Sequence, residues 1–134
     1  MKKSLILLAV VSTFFCQAQK IVETIDGEFK YPTGVTADSQ GNIYIADTQN
    51  DKIKIWNIDS KKLQILEKAD ALYPQHMVTD FTTGIIYFAD TNNHKIEQIN
   101  PKTKEVTIVD ENISRGTPYN IALDTNGNLF YTEC

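Results

Sequence analysis

Apolar and polar positions along this chain alternate in short bursts, and the rhythm is that of strands. From Gly34 the apolar-rich segments GVTAD, IYIAD, KIKIWNI and LQILE are separated by the polar stretches SQGN, TQND and DSKK. Each burst is shorter than an ordinary helix and each polar stretch carries turn residues, so four short strands are predicted over 31–67. The same order returns over 73–110, and its first half returns once more over 117–134. After residue 18 no stretch shows a 3.6-residue period bounded by helix caps.

The bursts are copies of one another. GNIYIADTQNDKIKIW from Gly41 and GIIYFADTNNHKIEQI from Gly84 agree at nine of sixteen positions, 43 residues apart. Gly41, Gly84 and Gly127 keep that interval, as do Asp47, Asp90 and Glu133. A proline-led segment precedes each glycine: YPTGVTAD, YPQHMVTD and TPYNIALD. A period in this range marks a solenoid, a propeller or an array.

The second strands (IYIA, IIYFA, LFYT) are apolar on both faces and are expected to be covered on both sides. The third and fourth strands (KIKIWNI, KIEQI, EVTIV) alternate and are expected to be half exposed. That distribution fits a blade stacked between neighbours around an axis. The fold class is therefore all-β, a β-propeller of four-stranded antiparallel blades with a period of 43 residues. Tyr44, Trp56 and Tyr87 are expected in the core between blades.

The start of the chain belongs to a different segment. Lys2 and Lys3 precede an apolar run from Leu5 to Phe15, too short to span a bilayer, and Cys16-Gln17-Ala18 offers small residues for a cut. Residues 1–18 are read as a signal peptide cleaved after Ala18, so the protein is expected to be secreted or periplasmic. The remaining 116 residues hold 17 acids against 11 bases, a formal charge of −6. With no basic cluster, neither nucleic acid nor an anionic membrane is an expected partner. Cys134 is left as a lone thiol, so packing and not a disulfide framework must hold the fold.

Residues 19–134 supply an outer strand at 20–25, blades at 31–67 and 73–110, and an incomplete blade at 117–134. That is about 2.7 blades, where propellers close with four to eight. Two or three copies give strand totals that four does not divide. The expectation is a partial propeller whose remaining blades are its partners.

Strands that run up and down fix which loops share an end. Thr33-Gly34, Gln75-His76 and Tyr119-Asn120 gather at one mouth of the channel, together with Asp47, Asp90 and Glu133. Asp47 and Asp90 could hold Ca²⁺, but a strand-ending aspartate also accepts backbone N–H bonds from a turn. Their return in each blade favours the structural role, and Gly41, Gly84 and Gly127 are read the same way. Positions that break the repeat are the ligand candidates: Gln75, His76, Tyr119, Asn120 and Glu133. His76 has the chemistry of a general base or metal ligand, and equally that of a polar residue lining a wet channel. No catalytic constellation is complete, and no metal or cofactor is expected. His94 is expected in a solvated turn. Asp124-Thr125-Asn126-Gly127-Asn128 lacks one residue and the glutamate of a calcium loop, and is expected to be a hairpin turn.

PTGVTADSQGNIYIADTQNDKIKIW resembles an NHL repeat, a propeller repeat of this length. GIIYFADTNNHKIEQI is similar to the YWTD blades of lipoprotein-receptor propellers, with Tyr87-Phe88-Ala89-Asp90 in place of that tetrapeptide. TPYNIALDTNGNLFYTE resembles blades of the streptogramin-lyase and gluconolactonase-like propellers. The resemblance runs from Gly27 onward and implies a six-bladed ring. It implies a binding module for a protein, peptide or glycan at the mouth. The alternative it implies is an enzyme of the lyase or lactonase type with Ca²⁺ or another divalent metal there. Gluconolactonase-like enzymes carry a metal-binding asparagine where this chain has Tyr119, one position before Asn120. Streptogramin lyases use a histidine from blades beyond these.

Expressed in a bacterium with a Sec pathway, the protein is expected to be exported and to begin at Gln19. N-terminal sequencing checks this, and an intact Met1 or a lipid on Cys16 would refute it.

Overall fold

The computed structural model describes residues 24–111, 113 and 116–134. The leader and residues 20–23 of the expected outer strand lie outside that range, while Thr24 and Ile25 belong to no strand. Among the described residues ten strands form three antiparallel sheets. β1 (Gly34–Ala37), β2 (Ile43–Asp47), β3 (Lys52–Asn57) and β4 (Lys62–Ile65) pair in chain order. So do β5 (Pro74–Thr79), β6 (Ile86–Asp90), β7 (Lys95–Ile99) and β8 (Val106–Asp110). β9 (Pro118–Leu123) and β10 (Leu129–Glu133) make a third, two-stranded sheet. These are two full blades and part of a third.

The turns explain why the copies match. The hairpin after each first strand passes through Gly41, Gly84 or Gly127 at φ 87°, 80° and 81°, a left-handed conformation open to glycine at no steric cost. An aspartate braces the turn from within. Asp38 Oδ1 accepts the Gln40 and Asn42 N–H groups at 2.9 Å, and Asp124 Oδ1 accepts those of Asn126 and Asn128 at 2.8 Å. Residues 124–128 thus form a hairpin turn. After each second strand the chain makes one 3₁₀ turn, Thr48–Asn50 or Thr91–Asn93, ended by Asp51 or His94 at φ 54°.

The blades stack through their apolar faces. Tyr44, Ala46, Ile53 and Ile55 of the first meet Met77, Ile86, Phe88 and Ile99 of the second in one buried cluster, which Leu66, Ala69 and Ala71 of the connecting chain complete. A second cluster of Ala89, Ile96, Ile113 and Ile121 joins the second blade to the third, with Tyr87 and Tyr131 packed against it. The inner strands approach closely: a Cβ on Gly34 would lie 1.9 Å from the Gln75 carbonyl oxygen. Thr36 and Thr79 join β1 to β5 by a 2.7 Å hydroxyl contact.

Two expectations are corrected. Trp56 is only half-buried and stands outside both clusters, because it points to the face opposite Ile53 and Ile55, the face that Val35 shares and that no described blade covers. The LFYT strand is not covered on both sides: Phe130 is 58% exposed, having no neighbouring blade on that face. At the other end of the stack Val35 is 66% exposed beside a groove of about 300 Å³ lined by Ile25, Phe29, Pro32 and Ile45.

Among the described residues nothing covers these two apolar faces, and such faces invite association. Residues 19–134 made alone are expected to self-associate on size-exclusion chromatography, and Val35→Lys with Phe130→Lys should reduce it. A monomer at all concentrations would refute this.

Candidate functional site

The register brings the expected mouth residues to one end of the blades. Gly34 pairs with Ala46, next to Asp47, while Pro74 pairs with Asp90 and Pro118 with Glu133. The residues gathered there differ sharply in exposure. Gln75 is buried and its carbonyl abuts Gly34, which takes it out of the accessible mouth. His76 is half-buried and its Nδ1 accepts the Ile121 N–H at 3.3 Å, tying β5 to β9. That bond leaves Nε2 as the nitrogen that carries the ring proton. Tyr119, Asn120 and Glu133, all on the third blade, are exposed.

Asp47 and Asp90 are fully buried and are spent on the backbone. Asp47 Oδ1 accepts the Lys30 N–H at 2.7 Å and Asp90 Oδ1 that of Leu72 at 2.7 Å. Their second oxygens accept from Asn50 Nδ2 at 2.8 Å and Asn93 Nδ2 at 2.7 Å. Both aspartates therefore hold the chain that enters each blade. The groove at the opposite end, about 520 Å³ between the second and third blades, is lined by Phe81, Thr82, Asp124 and Asn126. Among the described residues no three His, Cys, Asp or Glu side chains gather as a metal-ligating group.

His94 is exposed as expected but not idle. Its Nδ1–H donates to the Gly116 carbonyl at 3.1 Å, while its counterpart Asp51 accepts the Tyr73 N–H at 2.7 Å. Each thus bridges to the next blade from a left-handed turn position.

One pair escaped the sequence reading. In the first blade Lys54 lies 2.7 Å from Asp47, and in the second the equivalent residue is Glu97. Burial pushes Asp47 up, but bonds from Lys54, Asn50 and the Lys30 N–H outweigh it and hold the carboxyl below its ordinary range. Burial raises Asp90, and bonds from Leu72 and Asn93 offset it only in part. Glu97 is pushed up to about 7 by burial and by the Asp90 charge, with Lys95 opposing. The signal was present as a Lys-to-Glu change between copies, but alternation placed both residues on a wet face.

The sign of the pH effect follows. Folded Glu97 keeps a proton that an unfolded glutamate, at 4.5, gives up. Its stabilising contribution is full below about pH 4.5 and is lost as pH rises toward 7. In buffer free of divalent cations the denaturation midpoint should fall across that window, and Glu97→Gln should flatten the fall.

Comparison with known proteins agrees with this geometry. Residues 29–56 match the NHL repeat. A search of curated proteins returns no significant match. Similar solved structures include virginiamycin B lyase from Staphylococcus aureus, at 24% identity and a TM-score of 0.63 over 76% of this chain and 34% of that one. A chain of the nidogen/laminin complex is 24% identical, with a TM-score of 0.70 over 83% of this chain and 44% of that one. A gluconolactonase from Xanthomonas campestris is 10% identical, with a TM-score of 0.65 over 78% and 35%. The chain spans less than half the length of each, and identities this low show the fold alone. It is a run of β-propeller blades, two full and one partial, of which the first carries an NHL repeat.

Proposed function

We propose that these blades belong to an exported binding propeller that holds a protein, peptide or glycan at the mouth formed by the strand starts. One observation carries the reading. The third blade exposes Tyr119 (42%), Asn120 and Glu133, where the first blade has Thr33, Gly34 and Asp47 and the second Gln75, His76 and Asp90. The side chains at this mouth thus change from blade to blade, while the turn glycines and the apolar core positions repeat. An aromatic face, an amide and a carboxylate side by side can stack on and hydrogen-bond to sugar rings or peptide groups. The nidogen/laminin structure, a complex of proteins, supports a protein ligand within that class. The reading includes release from the cell after cleavage of residues 1–18, with neither nucleic acid nor a membrane as partner.

Array profiling of the exported protein against glycans and peptides, followed by titration of the strongest binder, tests this. Tyr119→Ala and Asn120→Ala should each weaken binding by about tenfold or more, as truncating a central contact does. Thr125→Ala, at the opposite end of the third blade, should not. Undiminished binding by Tyr119→Ala would overturn the proposal. Chelator-sensitive opening of a lactone ring would replace it with the enzyme reading.

A further inference from the structure

The two complete blades differ at one buried position. Lys54 of β3 and Glu97 of β7 are equivalent, 43 residues apart, and are 8% and 9% exposed. In the first blade the Lys54 ammonium lies 2.7 Å from Asp47 Oδ2 and donates to the Glu28 carbonyl oxygen at 2.7 Å. Asn50 Nδ2 donates to the same two acceptors, at 2.8 and 2.9 Å. The second blade repeats this frame: Asn93 Nδ2 donates to Asp90 Oδ2 at 2.7 Å and to the Asp70 carbonyl oxygen at 2.9 Å. Both acceptors are kept in place, but a carboxylate stands where the ammonium stood.

That carboxylate is poorly served. Among the described residues Glu97 Oε2 is buried with no hydrogen-bond partner, while the rest of the carboxyl meets that of Asp90 through a bond only a protonated Glu97 can donate. Asp90 and Asp70 both act on Glu97 as like charges, and Lys95 offsets them only in part. A buried carboxylate oxygen without a donor or cation is among the costliest groups a fold can hold. The first blade also places the Phe29 ring 4.7 Å from the Lys54 ammonium, and the equivalent residue in the second blade is Ala71. The second blade therefore has no ring at the position that covers the ammonium in the first.

We propose that a hard divalent cation, of which Ca²⁺ is the probe, takes the place in the second blade that the Lys54 ammonium takes in the first. Asp90, Glu97 and the Asp70 carbonyl oxygen hold it. Charge fixes the valence: one ammonium answers Asp47 alone, whereas Asp90 with Glu97, once the ion displaces the proton that Glu97 otherwise holds, needs two positive charges. The donors are all oxygen, which suits Ca²⁺ over the softer metals that seek nitrogen and sulfur. Ca²⁺ takes six to eight oxygens, so water completes the shell and affinity is modest, on the order of 10⁻⁴–10⁻³ M. The ion would pin the entry loop at 70–72 to the second blade, as Lys54 pins the loop at 28–30 to the first. This site is structural and independent of any ligand at the mouth.

Thermal unfolding of the whole protein after treatment with a chelator tests it. The wild type should melt about 5–12 °C higher in about 10 mM CaCl₂ than in NaCl of equal ionic strength. Glu97→Gln should lose that shift. Glu97→Lys, which restores the ammonium, should melt above the wild type without calcium and show no calcium shift. If Glu97→Gln does not fold, Glu97→Lys carries the comparison. Equal midpoints in CaCl₂ and NaCl for the wild type, or a calcium shift that persists in Glu97→Lys, would overturn the proposal.

Discussion

Each complete blade is closed by one buried carboxylate. Asp47 and Asp90 end the second strand, are 0% exposed, and accept the N–H of Lys30 or Leu72 on the chain arriving from before. The bond decides where the incoming chain docks, and so which residue begins the first strand. A buried N–H left without its acceptor costs about 1–3 kcal/mol. The asparagine three residues on, Asn50 or Asn93, ties the other carboxylate oxygen to a carbonyl of the same entry loop. Blade geometry therefore depends less on strand propensity than on this clamp, which is why aspartate and asparagine recur in phase with the strands.

The clamp fixes a blade, and other contacts fix its neighbour. Asp51 reaches the Tyr73 N–H, His94 the Gly116 carbonyl, and Thr91 the Pro118 carbonyl at 2.8 Å. Lys104 donates to the Tyr44 hydroxyl across the first interface, and burial there lowers the lysine and raises the tyrosine. Such bonds are local to one pair of blades, so stability in this architecture adds up interface by interface. A face without a neighbour loses its share, as the exposure of Phe130 shows.

The period, the strand order and the turns were legible because each is written locally. Gly41, Gly84 and Gly127 report a left-handed turn by being glycine, and Asp38 and Asp124 report its brace. Burial was legible only where a strand is apolar on both faces, as at Tyr44 to Ala46. Lys54 and Glu97 lie in alternating segments that read as polar-outward, yet Ile53, Lys54 and Ile55 are buried in succession. Alternation predicts a wet face only when nothing covers it, and here the entry loop does. Gln75 and Trp56 were misplaced for related reasons: their exposure is set by a neighbouring inner strand and by which face of the blade has a neighbour, neither written near them.

Repeats make departures informative, but the meaning of a departure depends on where it falls. At the mouth Tyr119, Asn120 and Glu133 depart from the other copies as exposed residues, at little energetic cost because water still solvates each polar atom. Such changes can accumulate freely, and only binding distinguishes a selected one from a neutral one. Glu97 is the opposite case. It removes a cation from a frame of acceptors that is otherwise kept, and leaves Oε2 buried without a partner among the described residues. A change of that kind is held against a stability penalty unless a proton or an ion relieves it. Of all the departures from the repeat, this is the one whose energy demands a compensating species.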